Sequence, residues 1–178
     1  MIEGFKCSNT ILKVRQIGKW KDINTQDLFK EKRIILFSLP GAFTPVCSEK
    51  QLPGFENNYD RICSMGIDEI YCISVNDGFI MNAWADQQKL KKVKVLPDGN
   101  TDFTRSMGML IQKNHVGFGL RSWRYCAVIN NGIIEKWWQE AGINNSGNDL
   151  DPYKETTPEN CIKYLKGLVS EINLTKSA

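Results

Sequence analysis

Apolar and polar positions alternate over residues 11–17 and again over 20–23, with Gly18-Lys19 between them, which predicts an antiparallel hairpin. Thr25 is placed to cap a short helix through Leu28 and Phe29. Residues 34–39, Ile-Ile-Leu-Phe-Ser-Leu, are almost continuously apolar and stop at Pro40-Gly41, as a strand buried on both faces does. From about Pro45 the period changes. Leu52, Phe55, Tyr59 and Ile62 recur at spacings of three, four and three, one face of a helix that Pro53 should kink and Gly66 should end. Residues 70–75 repeat the buried-strand pattern, so 34–75 reads as a parallel, right-handed βαβ unit.

Downstream, residues 77–88 read as a helix and 93–96 as a short strand before the turn at Pro97-Asp98-Gly99. Residues 123–129 and 133–138 alternate about Asn130-Asn131-Gly132, a second antiparallel hairpin. Residues 139–156 are polar and rich in Gly and Asn, a long loop to which the pattern assigns no role. Thr157-Pro158 opens a last helix with Cys161, Leu165, Leu168 and Ile172 on one face. With no repeat and no linker, residues 1–178 are expected to form a single α/β domain, a mixed central sheet with helices on both faces.

Composition narrows the function classes. In 178 residues, 42% apolar content is enough for a sizeable core. A net charge of +3 with one short lysine cluster, 89–94, gives no footprint for nucleic acid. The longest purely apolar run, residues 34–37, is far too short to span a membrane, and the N-terminus lacks the pattern of a signal peptide. None of the six cysteines forms a Cys-x-x-Cys pair and His115 is the one histidine, so neither a metal site nor a bound cofactor is expected. They read as thiols in a reducing intracellular compartment, cytoplasmic or organellar if a targeting segment has been removed. Cys63, Cys126 and Cys161 fall on apolar faces and read as core, and Cys7 lies in an N-terminal tail expected to be flexible.

One cysteine is placed differently. Cys47 lies where a buried strand turns into a helix, and unpaired N–H groups and the positive end of the dipole in a first helical turn favour an anion. Such positions lower a thiol pKa from about 8.5 into the range of roughly 3.5 to 7.5. A fall to about 6 raises the thiolate fraction at pH 7 roughly thirtyfold, but the loss of nucleophilicity takes back about a factor of ten. Pre-ionisation therefore gains only a few-fold, and a fast reaction needs donors fixed around the sulfur. Thr44, one turn before Cys47, and Arg124, at the start of the 123–129 strand, are candidates. Spacing alone favours a bland role for each, a helix cap for Thr44 and a surface ion pair for Arg124.

Residues 40–48, Pro-Gly-Ala-Phe-Thr-Pro-Val-Cys-Ser, resemble the Pro-x-x-x-Thr-x-x-Cys active-site motif of peroxiredoxins, and with Leu52-Pro53-Gly54-Phe55 they resemble the type II (peroxiredoxin-five-like) branch. Ser74-Val75-Asn76-Asp77 and residues 119–125 are similar to the same branch, and the likeness runs from about Ile11 to Ile172. The resemblance implies a thioredoxin-like fold and a thiol peroxidase acting on hydrogen peroxide and organic hydroperoxides. It implies Cys47 as the peroxidatic cysteine, Pro40, Thr44 and Arg124 around the peroxide, and Val46 beside it. Arg124, directly before Tyr125, matches the family's arginine better than Arg121.

The sulfenic acid formed on Cys47 must then be reduced by a thiol. Cys72 lies 25 positions after Cys47, the spacing of a resolving cysteine in the plant type II pattern, yet it sits mid-strand in an apolar run and favours a core role. The expected reductant is therefore external, glutathione with glutaredoxin, with thioredoxin through Cys72 as the competing route. The family also implies a homodimer. A peroxide-sensing relay that passes oxidation to partners by mixed disulfide is the alternative function. The usage of Lys and Asn suggests an AT-rich genome such as that of an apicomplexan parasite.

Overall fold

Seven consecutive residues of Arg33–Leu39 form strand β3, and six of them are buried because the strand is covered on both faces. In chain order the strands are β1 (Ile11–Gln16), β2 (Lys19–Asn24), β3, β4 (Glu69–Ser74), β5 (Lys94–Pro97), β6 (Leu110–Gln112), β7 (Leu120–Ser122), β8 (Tyr125–Asn130) and β9 (Ile133–Gln139). The helices are α1 (Thr25–Phe29), α2 (Leu52–Cys63), α3 (Gly78–Gln87), α4 (Asp102–Ser106) and α5 (Pro158–Lys176). The computed structural model describes residues 2–176. No helix among them is long and apolar enough to cross a membrane.

The central sheet has the order β5-β4-β3-β8-β9, with β3, β4 and β5 parallel and β8 and β9 antiparallel to their neighbours. This is the mixed sheet that the element order implies. Alternation on β3 divides the core. Ile35, Phe37 and Leu39 face α2, α3 and α5, whereas Ile34 and Leu36 face α1, α4 and Trp123. On the first face Phe37 stacks on Phe55 of α2, ring centroids 4.2 Å apart, and anchors that helix to the sheet.

Several local expectations shift. The first hairpin turns at Ile17-Gly18, both at positive φ (48° and 73°), so β2 begins at Lys19 and Ile17 is left fully exposed at the tip. Asn24, not Thr25, caps α1, by accepting from Gln26 N–H; the Thr25 hydroxyl is drawn inward to donate to the Ser8 carbonyl. Cys7 is no part of a flexible tail: its N–H donates to the Gly132 carbonyl at 2.7 Å, and burial of its side chain pushes the thiol up to about 12. The short pieces α4, β6 and β7 were not legible, since three to five residues carry too little periodicity. On α5, Cys161 and Leu165 are buried and Leu168 half-buried; the side chain of Ile172 lies outside the described residues.

Candidate active site

The chain leaves β3 through Pro40-Gly41, turns at Phe43 with φ of 65°, and enters a helical turn at Pro45. The Thr44 hydroxyl donates to the Gly41 carbonyl at 2.8 Å, and the Thr44 carbonyl accepts the first helical bond, from Ser48 N–H at 2.9 Å. Asn76 fixes the turn from outside by accepting from Ala42 N–H at 3.0 Å. Residues Cys47–Gln51 then form a wide π-helical turn, closed by Leu52 N–H to the Cys47 carbonyl. Pro53 explains the width. Having no N–H, it cannot continue an α-helical ladder, and the wider turn places it at the start of α2, where no bond is missed. Pro53 therefore stands in the first turn of α2 and not inside a helical run, and the irregularity of the segment is the π-helical turn ahead of it.

That turn sets Cys47 and Gln51 on one buried face, each fully enclosed. Both meet Arg124, which links β7 to β8 instead of opening a strand. Arg124 Nη1 donates to Cys47 Sγ at 3.5 Å and also to Gln51 Oε1. Nη2 donates to Asp151 Oδ1 and Nε to the Pro152 carbonyl at 3.1 Å. The Tyr153 ring lies 5.7 Å from the guanidinium. The side chain is 2% exposed, so the surface ion pair favoured by spacing does not describe it. Burial opposes the charge on Arg124, but the Cys47 sulfur and the Asp151 carboxylate outweigh it and raise its pKa above the usual arginine range. Arg121 points elsewhere: it donates to the Val75 carbonyl at 2.9 Å and packs over Phe118.

The loop over residues 140–156 is what closes the site, and three of its residues hold Arg124. Its own anchor is Glu140, a carboxylate only 1% exposed that accepts from the N–H groups of Lys154, Glu155 and Thr156 and from the Thr156 hydroxyl, all within 3.1 Å. Gln51 Nε2 in turn donates to Thr156 Oγ1 at 3.5 Å. At the other end, Lys113 and Asp149 form a buried ion pair at 2.6 Å, 6% and 5% exposed. The loop passes so close over His115 that a Cβ at Gly147 (φ +79°) would fall 2.4 Å from the ring, so only glycine fits there.

A cleft of about 230 Å³ lies between Pro40, Thr44 and Pro45 on one side and Asp149, Leu150 and Asp151 on the other, lined also by Val116 and Phe118, while Cys47 itself is enclosed one helical turn beyond Thr44. Asp151 is the lining residue that joins this cleft to Arg124. Of the residues expected around the peroxide, Pro40 and Thr44 line this cleft; Arg124 and Cys47 are buried behind it, and Val46 is half-buried in the helical turn and does not line it. Gln51 and Asp151 were not anticipated. Gln51 left one signal, a polar residue a helical turn beyond Cys47, while Asp151 in a loop left none. Cys72 lies in mid-sheet, paired with Phe37 of β3 and Val95 of β5, and fully buried. Burial, and then the nearness of Cys47, push its thiol far up, with Arg124 opposing. Among the described residues no group of three His, Cys, Asp or Glu side chains is set to hold a metal ion.

Residues 13–153 match the Redoxin family. A peroxiredoxin from Rhizobium etli is 57% identical over 148 residues, covering 83% of this chain and 82% of the relative. The structure is similar to that of the Plasmodium falciparum antioxidant protein (1-Cys peroxiredoxin), with TM-score 0.87, 38% identity and coverage of 94% and 99%. It is also similar to reduced Prx3 in complex with H2O2 from Vibrio vulnificus, with TM-score 0.84, 32% identity and coverage of 93% and 99%.

Proposed function

The chain belongs to the peroxiredoxin family and is a thiol peroxidase on the thioredoxin-like fold, and from that premise we propose that Cys47 is the sulfur that cleaves the peroxide O–O bond. The observation that carries the assignment is the buried contact of Arg124 with Cys47 at the start of a helix. Val46 and Cys47 stand in the first helical turn, where backbone N–H groups have no intrahelical partner and can donate to an oxygen. Thr44 has its proton committed to Gly41, so its free lone pairs suit the O–H of an incoming hydroperoxide. As the O–O bond stretches, negative charge builds on the leaving oxygen, and Arg124 meets it with a guanidinium already in place. The leaving group departs as water or an alcohol, and Cys47 becomes a sulfenic acid. Hydrogen peroxide and small organic hydroperoxides both fit the cleft.

Recycling is assigned to an external thiol, glutathione with glutaredoxin. Cys72 is locked in the ladder between β3 and β5, and a disulfide needs Cα atoms within about 7 Å and sulfurs free to meet. The 1-Cys relative supports the same reading. A reducing compartment suits six free thiols. Exposed Val116 and Phe118 line the cleft, and Phe43, held at positive φ and 48% exposed, directly precedes Thr44 of its wall; this apolar surface supports a homodimer that light scattering would detect.

Peroxide consumption with glutathione and glutaredoxin tests the proposal against consumption with thioredoxin and its reductase. Cys47→Ser should lose turnover by about a thousandfold or more. Wild-type turnover in that variant would reassign the nucleophile. Turnover with thioredoxin that disappears in Cys72→Ser would instead make Cys72 the resolving thiol.

A further inference from the structure

Two cysteines outside this site are in contact. Cys126 on β8 and Cys161 in the first turns of α5 place their sulfurs 3.4 Å apart, both fully buried. Each sulfur has the other as its hydrogen-bond partner, and a disulfide needs about 2.05 Å, so the pair must close by little more than an ångström. Register keeps this pair apart from Cys72. Cys72 and Cys126 flank Phe37 in one row across β4, β3 and β8, and the Phe37–Phe55 stack fills the space between them.

We propose that Cys126 and Cys161 are a second redox site, a dithiol that a hydroperoxide converts to a disulfide joining β8 to α5. One sulfur attacks a peroxide oxygen, the O–O bond breaks, and the other oxygen leaves as water or an alcohol. The second thiol then attacks the sulfenic sulfur; the S–S bond forms, the S–O bond breaks, and the hydroxyl leaves as water with the remaining thiol proton. The two thiols lose two electrons and the peroxide gains them. Burial, and then the bond to Cys161, hold the Cys126 thiol well above its ordinary range, so oxidation of the pair trails that of an active-site thiol and belongs to peroxide excess.

The position gives the crosslink a consequence. Cys161 lies one helical turn after Thr157, to whose carbonyl its N–H donates at 3.3 Å, and Thr156 beside it is where the 140–156 loop is tied to Glu140 and Gln51. A covalent staple at that point fixes the start of α5 and with it the end of the loop that holds Arg124.

The site does not depend on Cys47 and is tested without it. Cys47→Ser protein and wild type are treated with excess hydrogen peroxide, unfolded in alkylating agent, digested and mapped by mass spectrometry. The expected result in both is a linked peptide pair containing Cys126 and Cys161, reversed by dithiothreitol, with Tm raised by about 5–10 °C in the oxidised protein. Cys126→Ser should lose the linked pair and the Tm rise together. Alkylated, unlinked Cys126 and Cys161 in wild type, or in a Cys47→Ser protein of wild-type circular dichroism, would overturn the proposal and leave the peroxidase assignment untouched.

Discussion

The turn over residues 40–47 and the loop over 140–156 reach the same sulfur from opposite sides. The turn is held by short-range bonds, Thr44 to Gly41 and Ser48 to Thr44, with Asn76 as its outside support. The loop is held by distant partners: Glu140 gathers residues 154–156, Lys113 pairs with Asp149, and Arg124 is gripped through Asp151 and Pro152. One segment supplies the nucleophile and its helix terminus. The other fixes the cation that faces the nucleophile. Changes in the turn should therefore act on the chemistry itself, and changes in the loop should act on how well Arg124 is positioned.

Substitution at the meeting point gives the largest effect. Arg124→Gln removes the charge facing Cys47 and should lower kcat/KM for peroxide by about 10²–10³-fold in stopped-flow assays. Arg124→Lys should recover little of it, because a point-charge ammonium cannot serve Cys47, Gln51, Asp151 and Pro152 at once. Full recovery by lysine would mean that charge alone matters, not the grip of the loop.

Glu140→Gln probes the loop without touching the site. It turns one acceptor toward N–H groups as a donor, which should cost about 1.5–3 kcal/mol in denaturant unfolding and about tenfold in kcat/KM. A stability loss with unchanged kcat/KM would separate the loop from catalysis. Asp151→Asn keeps an acceptor near Arg124 but removes the charge, and a smaller fall of about two- to fivefold in kcat/KM is expected.

Acid gives the mildest test. Burial pushes the Asp149 carboxyl up, but the bond and charge of Lys113, with the Asp151 N–H, outweigh it and hold the carboxyl below its ordinary range. A depressed carboxyl contributes stability that is complete above its unfolded pKa of about 3.9 and is lost as pH falls through the folded value. Tryptophan fluorescence, sensitive to Trp123 under the Lys113 ammonium, should report a loosening that begins below about pH 4 and is absent in Lys113→Met. A transition centred near neutrality would point to a different group.

Legibility divides along the same line. Pro40, Thr44 and Cys47 share one contiguous stretch, and the change from a buried-strand pattern to a helical period already put Cys47 at a helix start. Arg124 could be named only from its neighbours Trp123 and Tyr125, because nothing in its spacing distinguishes a buried guanidinium from an exposed one. Gln51 was overlooked because its face is set by a π-helical turn, which an α-helical period does not describe. The 140–156 loop carries no periodicity at all, so its role had no local sign.

The sequence by itself determined the strands of the central sheet, the helix whose first turn holds Cys47, and the thiol that stands there, because apolar period and turn chemistry act over a few residues at a time. Only the tertiary structure decided that Arg124 faces that thiol, that Asp151 and Glu140 hold the closure, and that Cys126 meets Cys161. Those contacts join residues 14 to 77 positions apart, and they exist only once sheet register and helix packing have brought the segments together.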